Sequence, residues 1–452
     1  MTKKQTETKF KETEIGLIPE DWEVKELGEL VIVKSGKRLP KGKRLVTYKT
    51  KHPYIRVCDL CNKSVKVSDV LFIDDETYKK ISKYIITKDD VYVSIVGTIG
   101  LVGTIPEELD NANLTENCAR LTDIKNTMKE WISYFLNTKK GQEQIFSLTV
   151  GTTQGKLALY RIKKIKIPLP PLPEQRAIAK ILSDLDAKIE LNHEMNKTLE
   201  AIGQAIFKHW FIDFEFPNEE GKPYKSSGGE MVYNEELGKE IPKGWKVGKI
   251  QDVASNKKNA IVDGPFGTQM KIKEYQNKGI PVIEMEYLEG YPFYKPFKNF
   301  ISEKKFEEVK RSCVKKGDIV ISKTGTLGLL GIMTDIYDEA VLVSRLAKIS
   351  IDENKIGRYY LFLFLKLLYK EKYWDQISSG STMPIINLGH IKSKEIIIPD
   401  KETLDKFETI LETLYNSIFE HLLESQTLSA IRDSLLPKLM SGKIRVPIEV
   451  KT

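Results

Sequence analysis

The chain has 452 residues, of which 41% are hydrophobic, 9% aromatic and 30% charged, and its formal net charge is +8. This length predicts two or three domains rather than one, and the apolar content excludes a disordered chain. The charge is compatible with a polyanionic partner. No stretch approaches the ~20 apolar residues of a membrane span, and the polar, charged start is not a signal peptide, so we expect a cytoplasmic protein with no membrane partner.

Short sequence matches recur along the chain at a nearly constant spacing. Residues 18–24 read IPEDWEV and residues 241–247 read IPKGWKV, while GTIGLVG at 97–103 returns as GTLGLLG at 325–331. The offset rises only from 223 (Ile18 to Ile241) to 231 (Ile167 to Ile398). We interpret the chain as a tandem duplication, in which each copy is a mixed domain of roughly 150 residues followed by one long helix.

The first copy occupies residues 13–170, after an N-terminal tail at 1–12. β-Branched runs bounded by glycines, such as VYVSIV from Val91, predict short strands, and residues 131–136 predict a helix. PYIRVCDL, from Pro53, alternates like a further strand.

Residues 34–51 of the first copy contain eight basic residues and no acidic one. A glycine-bearing basic loop suits contacts to phosphates, and Arg38 or Arg44 could reach a base edge; the alternative is a solvated flexible loop. The candidates for nucleic-acid contact in this loop are Lys34, Lys37, Arg38, Lys41, Lys43 and Arg44.

A long helix is predicted in residues 171–215. Pro171 and Pro173 disfavour helix before them, and the apolar residues then follow steps of four and three: Ile178, Leu182, Leu185, Ile189, Leu199, Ile206 and Trp210, with Asn192 and Asn196 in the same stripe. Such a stripe indicates a helix that packs against a partner helix, and polar residues within it can fix the register.

The second copy, with the linker before it, occupies residues 216–398. Residues 214–239, rich in Gly, Ser, Pro and charge, are interpreted as a linker, and residues 359–369 as a helix. The region of this copy that corresponds to the basic loop is IVDGPFGTQMKIK, whose paired glycines let the backbone approach a ligand; a plain turn is the alternative. The candidates here are Asp263, Gly264, Phe266, Gly267 and Lys271.

Loops rich in glycine and threonine recur in both copies, at residues 94–103 and 150–156 and at 322–331 and 378–383. Hydroxyls can bond bases or phosphates and Gln154 could pair with adenine, although such loops are also ordinary turns. The candidates are Thr98, Thr152, Thr153, Gln154, Lys323, Thr324, Thr326, Ser381 and Thr382.

A second long helix is predicted in residues 399–445, before a tail at 446–452. Its stripe reads Leu404, Phe407, Leu411, Leu414, Ile418, His421, Ser425, Leu428, Arg432 and Leu435, with Pro399 before it and Pro437 and Gly442 as stop signals. It is the candidate partner of the first helix; the alternative is two amphipathic helices packed on different domains.

Catalytic and metal-binding patterns are missing from the sequence. Cys58 and Cys61 form a lone C-x-x-C with no second pair, so buried small hydrophobic residues are the better interpretation than a metal site. No G-x-S-x-G, H-E-x-x-H, phosphate-binding loop or dinucleotide signature occurs, and we therefore expect no catalytic residues, no metal and no enzyme activity in this chain.

The duplication and the two helices together resemble the specificity subunit of a type I restriction–modification system over nearly the full length. The strongest motif is IPLPPLPEQRAIAKIL with the helix and FKHWFIDFEFP, similar to the family's central helical region. IRDSLLPKLMSGKIRV resembles the C-terminal helical region, IPEDWEV and IPKGWKV resemble openings of target recognition domains, and DGPFG resembles a motif common in those domains. The second helix departs from the pattern, since IIIPDKETLDKF stands where PPLPEQ would.

The resemblance implies an α+β fold with two tandem mixed α/β target recognition domains, separated by two long antiparallel coiled-coil helices in a pseudo-twofold internal repeat. It implies that the chain reads a bipartite site in double-stranded DNA and docks two methyltransferase subunits, and restriction subunits through them. S-adenosylmethionine, ATP and Mg²⁺ are then cofactors of partner subunits, with none in this chain. The alternatives are a duplicated protein-bridging adaptor, the specificity part of another methyltransferase–nuclease system, or an enzyme fused to its own specificity domain.

Overall fold

The computed structural model of the protein describes residues 8–61, 63–151, 155–380 and 384–446. The chain divides into two compact units, the first made of residues 1–188 with 428–452 and the second of residues 189–427. Each unit therefore contains one copy of the repeat together with a segment of each long helix.

The first unit is built on short strands because its β-branched runs are brief and end at glycines. The strands are β1 (Phe10–Lys11), β2 (Ile18–Pro19), β3 (Glu23–Glu26), β4 (Ile32–Ser35), β5 (Pro53–Ile55), β6 (Leu71–Phe72), β7 (Ile85–Ile86), β8 (Val91–Ser94), β9 (Val102–Thr104), β10 (Ala112–Leu114), β11 (Cys118–Thr122) and β12 (Lys166–Leu169). Two four-stranded sheets have the orders β6-β5-β10-β7 and β4-β11-β8-β9, and β12 pairs with β3. The β5–β10 pair is parallel, and the second sheet is antiparallel throughout.

Helices complete the hydrophobic cores of the first unit. They are α1 (Leu27–Leu30), α2 (Asp75–Ile81), α3 (Lys129–Leu136), α4 (Lys139–Ser147) and α5 (Leu159–Ile162). Trp131 of α3 is fully buried, lies edge-on to Trp22 with ring centroids 5.7 Å apart, and donates its indole N–H to the carbonyl oxygen of Pro168 at 2.8 Å. Burial of such large side chains with their polar atom satisfied stabilises this core.

The second unit repeats the arrangement. Its strands are β13 (Met231–Asn234), β14 (Lys239–Pro242), β15 (Lys246–Lys249), β16 (Ile261–Asp263), β17 (Ile280–Ile283), β18 (Phe300–Ile301), β19 (Cys313–Val314), β20 (Ile319–Ser322), β21 (Leu330–Ile332), β22 (Ala340–Leu342), β23 (Leu346–Ile349) and β24 (Glu395–Ile398). The orders β18-β17-β22-β19 and β16-β23-β20-β21 match the two sheets of the first unit, and β15 pairs with β24 as β3 does with β12. Its shorter helices are α7 (Ile250–Val253), α8 (Glu303–Val309), α9 (Arg358–Lys370), α10 (Tyr373–Ile377) and α11 (Leu388–Ser393).

Two helices of 40 residues each follow the copies, α6 (Leu172–Phe211) after the first and α12 (Lys401–Met440) after the second. Within the second unit they pack antiparallel, because Asn192 donates its amide N–H to Ser425 at 3.2 Å while Asn196, one turn later, meets the imidazole of His421 at 2.8 Å. Every residue of the two predicted stripes is buried or partly buried, which confirms the stripes. The duplicated mixed α/β fold is confirmed as well.

Two local predictions of secondary structure are wrong, the end of the second long helix and one strand of the first copy. Pro437 does not end the second helix, because Leu439 and Met440 are buried in the core of the first unit and hold one more turn in place; the helix ends before Gly442, whose φ is +68°. Residues 214–239, interpreted as a linker, contain regular structure, since β13 pairs with β14 and Phe216 stacks on Tyr224.

The strand predicted across PYIRVCDL ends at Ile55, where a 3₁₀ turn over Val57–Asp59 begins. As a result Cys58 is exposed and Cys61 only partly buried, in contrast to the buried interpretation of this pair; Cys118 and Cys313 are buried. Across the described residues there is no group of His, Cys, Asp or Glu side chains able to hold a metal ion. None of the helices in the described part of the chain has the length and hydropathy needed to cross a membrane.

Candidate nucleic-acid interface

In the first unit, loops from four places in the sequence meet at one edge of the antiparallel sheet. The backbone N–H of Gly36, just after β4, donates to the carbonyl oxygen of Cys118 at 3.0 Å. Ile95, just after β8, donates to Asn117 at 2.8 Å, and Leu157 donates to Ile95 at 3.0 Å. The turn between β10 and β11 is therefore the centre of this cluster.

The second unit brings the equivalent loops together with the same bonds. Gly264 donates to the carbonyl oxygen of Leu346 at 3.0 Å, Lys323 to Arg345 at 2.8 Å, and Ile386 to Lys323 at 2.9 Å. The first four of these positions, Gly264, Leu346, Lys323 and Arg345, each lie 228 residues after their counterparts Gly36, Cys118, Ile95 and Asn117. The backbone scaffold of the two clusters is therefore the same.

We call these surfaces the first and second loop clusters. The first consists of the described residues in 36–46, 95–100, 115–117 and 150–157. The second consists of the described residues in 264–271, 323–328, 343–345 and 379–386.

Glycine is required where two loops approach most closely. A Cβ atom at Gly36 would collide with the carbonyl oxygen of Thr115, and one at Gly264 with that of Val343. Gly267 has open space around it, so no such contact demands glycine there. The predicted basic loop and the DGPFG loop therefore share a glycine at equivalent places, Gly36 and Gly264, where only a residue without a Cβ atom fits.

A serine fixes the glycine-threonine turn in each cluster. The hydroxyl of Ser94 donates to the carbonyl oxygen of Thr98 at 2.6 Å and accepts the N–H of Leu101 at 2.8 Å. Ser322 makes the same two bonds, to Thr326 and from Leu329, at the same distances. The serine bonds show that these turns have a structural role. Both threonines are exposed, so each turn also displays a hydroxyl to solvent.

Acidic residues that are distant in sequence neutralise two cations of the predicted basic loop. Arg38 pairs with Glu116, whose hydrogen bond raises the pKa of the guanidinium. Lys43 pairs with Glu76 and, at 3.4 Å, with Asp74.

The other four basic candidates are more available. Lys34 lies 3.9 Å from Asp123, and the ammonium of Lys37 lies 5.6 Å from the centre of the Tyr84 ring. Lys41 and Arg44 are exposed and form no ion pair within the described residues. These two side chains are the cations of the loop best placed to bind a phosphate.

Asp263 organises the charges of the second loop cluster. Its carboxylate pairs with Lys323 at 3.0 Å and with Arg311 at 3.3 Å, and Lys323 is only 8% exposed. The Arg311 guanidinium lies 5.9 Å from the ring centre of Phe266, which is 65% exposed. Asp263 and Lys323 therefore satisfy each other, whereas Phe266 faces solvent.

The remaining candidate residues differ in how accessible their side chains are. Lys271 is exposed, while the hydroxyl of Thr324 is buried without a hydrogen-bond partner among the described residues. Thr152, Thr153 and Gln154 of the first cluster, and Ser381 and Thr382 of the second, lie outside the described residues. All of the candidate residues for nucleic-acid contact stay predictions.

In each unit an acidic residue of α6 ties the long helix to the mixed α/β domain. In the first unit Asp186 accepts hydrogen bonds from Tyr134 at 2.8 Å and Arg432 at 2.8 Å and pairs with Lys63 at 3.2 Å. Burial lowers the pKa of Lys63, which makes its pairing with Asp186 necessary.

Glu200, further along α6, makes a comparable set of contacts in the second unit. It pairs with Lys366 at 2.6 Å and accepts a hydrogen bond from the hydroxyl of Tyr291. Burial opposes ionisation of Glu200, but Lys366 and the hydrogen bonds outweigh it and the pKa lies below the ordinary value. Sequence patterns did not show these acids, because an acid beside a heptad stripe is usually a solvated residue.

The duplicated loop clusters and the paired helices define a two-domain recognition protein. The family model described as "Type I restriction modification DNA specificity domain" matches residues 19–201 and 242–427. The chain is 30% identical over 449 residues, 99% of each chain, to a type I restriction enzyme specificity subunit, MjaIX, of Methanocaldococcus jannaschii. It is 22% identical to the HindI specificity subunit of Haemophilus influenzae, with 84% of this chain and 90% of that one covered.

A crystal structure of the S subunit of a type I restriction–modification system from M. genitalium has the same fold, with a TM-score of 0.57 at 19% identity, covering 92% of this chain and 96% of that one. The chain belongs to the family of type I restriction–modification specificity subunits.

Proposed function

We propose that the chain recognises double-stranded DNA and that each loop cluster reads one half of a bipartite target. The observation that carries the proposal is the repeated backbone scaffold with diverged side chains, Gly36 with Lys37 and Arg38 in one copy and Gly264 with Pro265 and Phe266 in the other. Two copies of one frame with different side chains suit a reader of two different half-sites.

The chemistry of the exposed groups favours a duplex. Lys41 and Arg44 are exposed cations without ion pairs within the described residues, and such groups bind phosphates without regard to sequence. Thr98 and Thr326 add hydroxyls on fixed turns, which can bond bases or phosphates. Positioning contacts and base contacts are thus available on the same surface.

The partners follow from the family. The named relatives are specificity subunits of type I restriction enzymes, so we propose that this cytoplasmic chain is non-catalytic and docks two methyltransferase subunits, with restriction subunits joining through them. S-adenosylmethionine, ATP and Mg²⁺ would be held by those partners. The two long helices, which are common to both units, are the proposed docking elements.

Salt dependence of binding to duplex DNA tests the proposal. Neutralising each phosphate releases counterions, so the logarithm of the affinity should fall by about 0.9 per phosphate contact for each tenfold rise in salt. A flat dependence would favour the alternative of a protein-bridging adaptor that does not bind DNA.

Exchange of one domain tests the division of labour. Replacing residues 13–170 by the equivalent segment of a related subunit should change one half of the methylated site and leave the other half and the spacer unchanged. Mapping of methylated positions in host DNA measures this. A change in both halves, or in neither, would contradict the proposal.

A further inference from the structure

One residue lies at the centre of each loop cluster and was not singled out by any sequence pattern. In the first cluster it is Asn117, whose carbonyl oxygen accepts the N–H groups of Ile95 at 2.8 Å and Val96 at 3.3 Å. In the second it is Arg345, whose carbonyl oxygen accepts the N–H of Lys323 at 2.8 Å. Both backbones hold the neighbouring glycine-threonine loop in place.

Asn117 and Arg345 are structurally equivalent. Each directly precedes the strand residue that binds the close-packed glycine, Cys118 for Gly36 and Leu346 for Gly264. The equivalence comes from strand pairing, since β11 pairs with β4 and β8 in the first unit as β23 does with β16 and β20 in the second.

The two residues sit on tight turns between core strands. The turn of the first unit is closed by a bond from Cys118 to Thr115 at 3.2 Å, and that of the second by a bond from Leu346 to Val343 at 3.0 Å. A side chain on such a turn is presented with little backbone freedom, as base readout requires.

Neither side chain has a partner among the residues that the structure describes. Arg345 is exposed, Asn117 is partly exposed, and neither side chain has a hydrogen bond or an ion pair within the described residues. Their charged neighbours are already paired: Glu116 with Arg38, and Lys323 with Asp263. Among the described residues, nothing competes with an external partner for the guanidinium of Arg345 or the amide of Asn117.

Base edges offer the matching chemistry. A guanidinium donates two hydrogen bonds to O6 and N7 of guanine, and an amide donates to N7 and accepts from N6 of adenine. We propose that Arg345 reads a guanine in the half-site of the second loop cluster and that Asn117 reads an adenine at the equivalent place in the other half-site. The inference rests on the proposed function and adds one base to each half-site.

Selection of targets from a randomised duplex library tests the inference, with the full-length chain assembled with its methyltransferase subunits. Arg345→Asn should change the preference at one position, from guanine to adenine, by about 5- to 150-fold. Arg345→Gln carries its amide on a longer side chain and should produce the same change of preference if the asparagine side chain is too short to reach the base. Asn117→Arg should change one adenine to guanine in the other half-site.

Lys370→Ala is the matched control, because Lys370 is an exposed cation of the second unit, at the end of α9, without an ion pair within the described residues. It should select the unaltered target. An Arg345→Asn and an Arg345→Gln complex that both keep the wild-type preference, or that weaken all sequences equally, would overturn the inference. A wild-type complex without salt-dependent DNA binding would instead refute the proposed function.

Discussion

Arg445 joins three distant segments of the first unit, and its removal should destabilise that unit strongly. Its guanidinium binds both carboxylate oxygens of Asp21, at 3.0 and 2.7 Å, and both of Glu174, at 2.7 and 3.0 Å. Glu174, in the first turn of α6, is fully buried and accepts the indole N–H of Trp22 at 3.1 Å. Arg445 itself follows α12, so one side chain fastens the start of one long helix to the end of the other.

The cost of Arg445→Ala follows from the buried carboxylate left behind. Removing one partner of a buried pair costs about 3–5 kcal/mol, because the remaining charge keeps its desolvation penalty. The Arg445 side chain is 31% exposed, so water can partly replace it, and we expect about 2–3 kcal/mol. For a domain of this size that corresponds to a fall in Tm of about 4–12 °C.

Thermal and urea unfolding of the variant measure the effect, with Lys443→Ala as a matched control because Lys443 is a nearby exposed cation. The double variant Arg445→Ala, Glu174→Gln should recover part of the loss, since it removes the unpaired charge. The Arg445 hydrogen bond also lowers the pKa of Asp21. The stability from this pairing is thus present above the ordinary aspartate pKa and is lost as the pH falls through the lowered one, so Arg445→Ala should flatten the acid limb of the stability profile.

A variant as stable as wild type at neutral pH, with an unchanged acid limb, would refute the reasoning. So would a loss in Lys443→Ala equal to that in Arg445→Ala, because charge alone and not the buried pairing would then account for it.

Two further predictions concern DNA binding and pH. The double variant Lys41→Ala, Arg44→Ala should reduce the slope of log affinity against log salt by up to about 1.8. Lys43→Ala is the control and should leave the slope unchanged, because the Lys43 ammonium is held by Glu76 and Asp74. Equal effects would show that ion pairing does not decide which cations of this loop contact DNA. Glu408 accepts the backbone N–H groups of Tyr359 and Tyr360 at the start of α9, and burial raises the pKa of its carboxyl group. The folded state therefore holds this proton more tightly than the unfolded state. The urea midpoint of the second unit should fall as the pH rises from the ordinary glutamate pKa through the raised one. Glu408→Gln should remove that decline, and a wild-type midpoint independent of pH in this range would contradict it.

The duplication and the long helices were predictable because both leave periodic signals in the sequence. The stripe from Ile178 to Trp210 is set by burial against a second helix, and burial selects apolar residues at a fixed spacing. Helix ends were less predictable, since Pro437 is tolerated where Leu439 and Met440 gain a buried contact one turn later. At this helix end, tertiary packing outweighs the local preference of proline to end a helix.

The charges of the candidate interface show why composition alone misjudges such a surface. Eight basic residues without an acid in residues 34–51 suggested a uniformly cationic loop, yet Glu116 and Glu76, which neutralise Arg38 and Lys43, are 78 and 33 residues away in sequence. Asn117 and Arg345 show the opposite case, because no pattern in the local sequence indicated them as candidates. Only the pairing of β10, β11, β22 and β23 places them at the centre of the loops. Strand register determines which side chain is presented at this position, so the residue that reads a base can be identified only once the sheet is known. The two recognition domains can therefore differ at this position without a change in the fold that presents it.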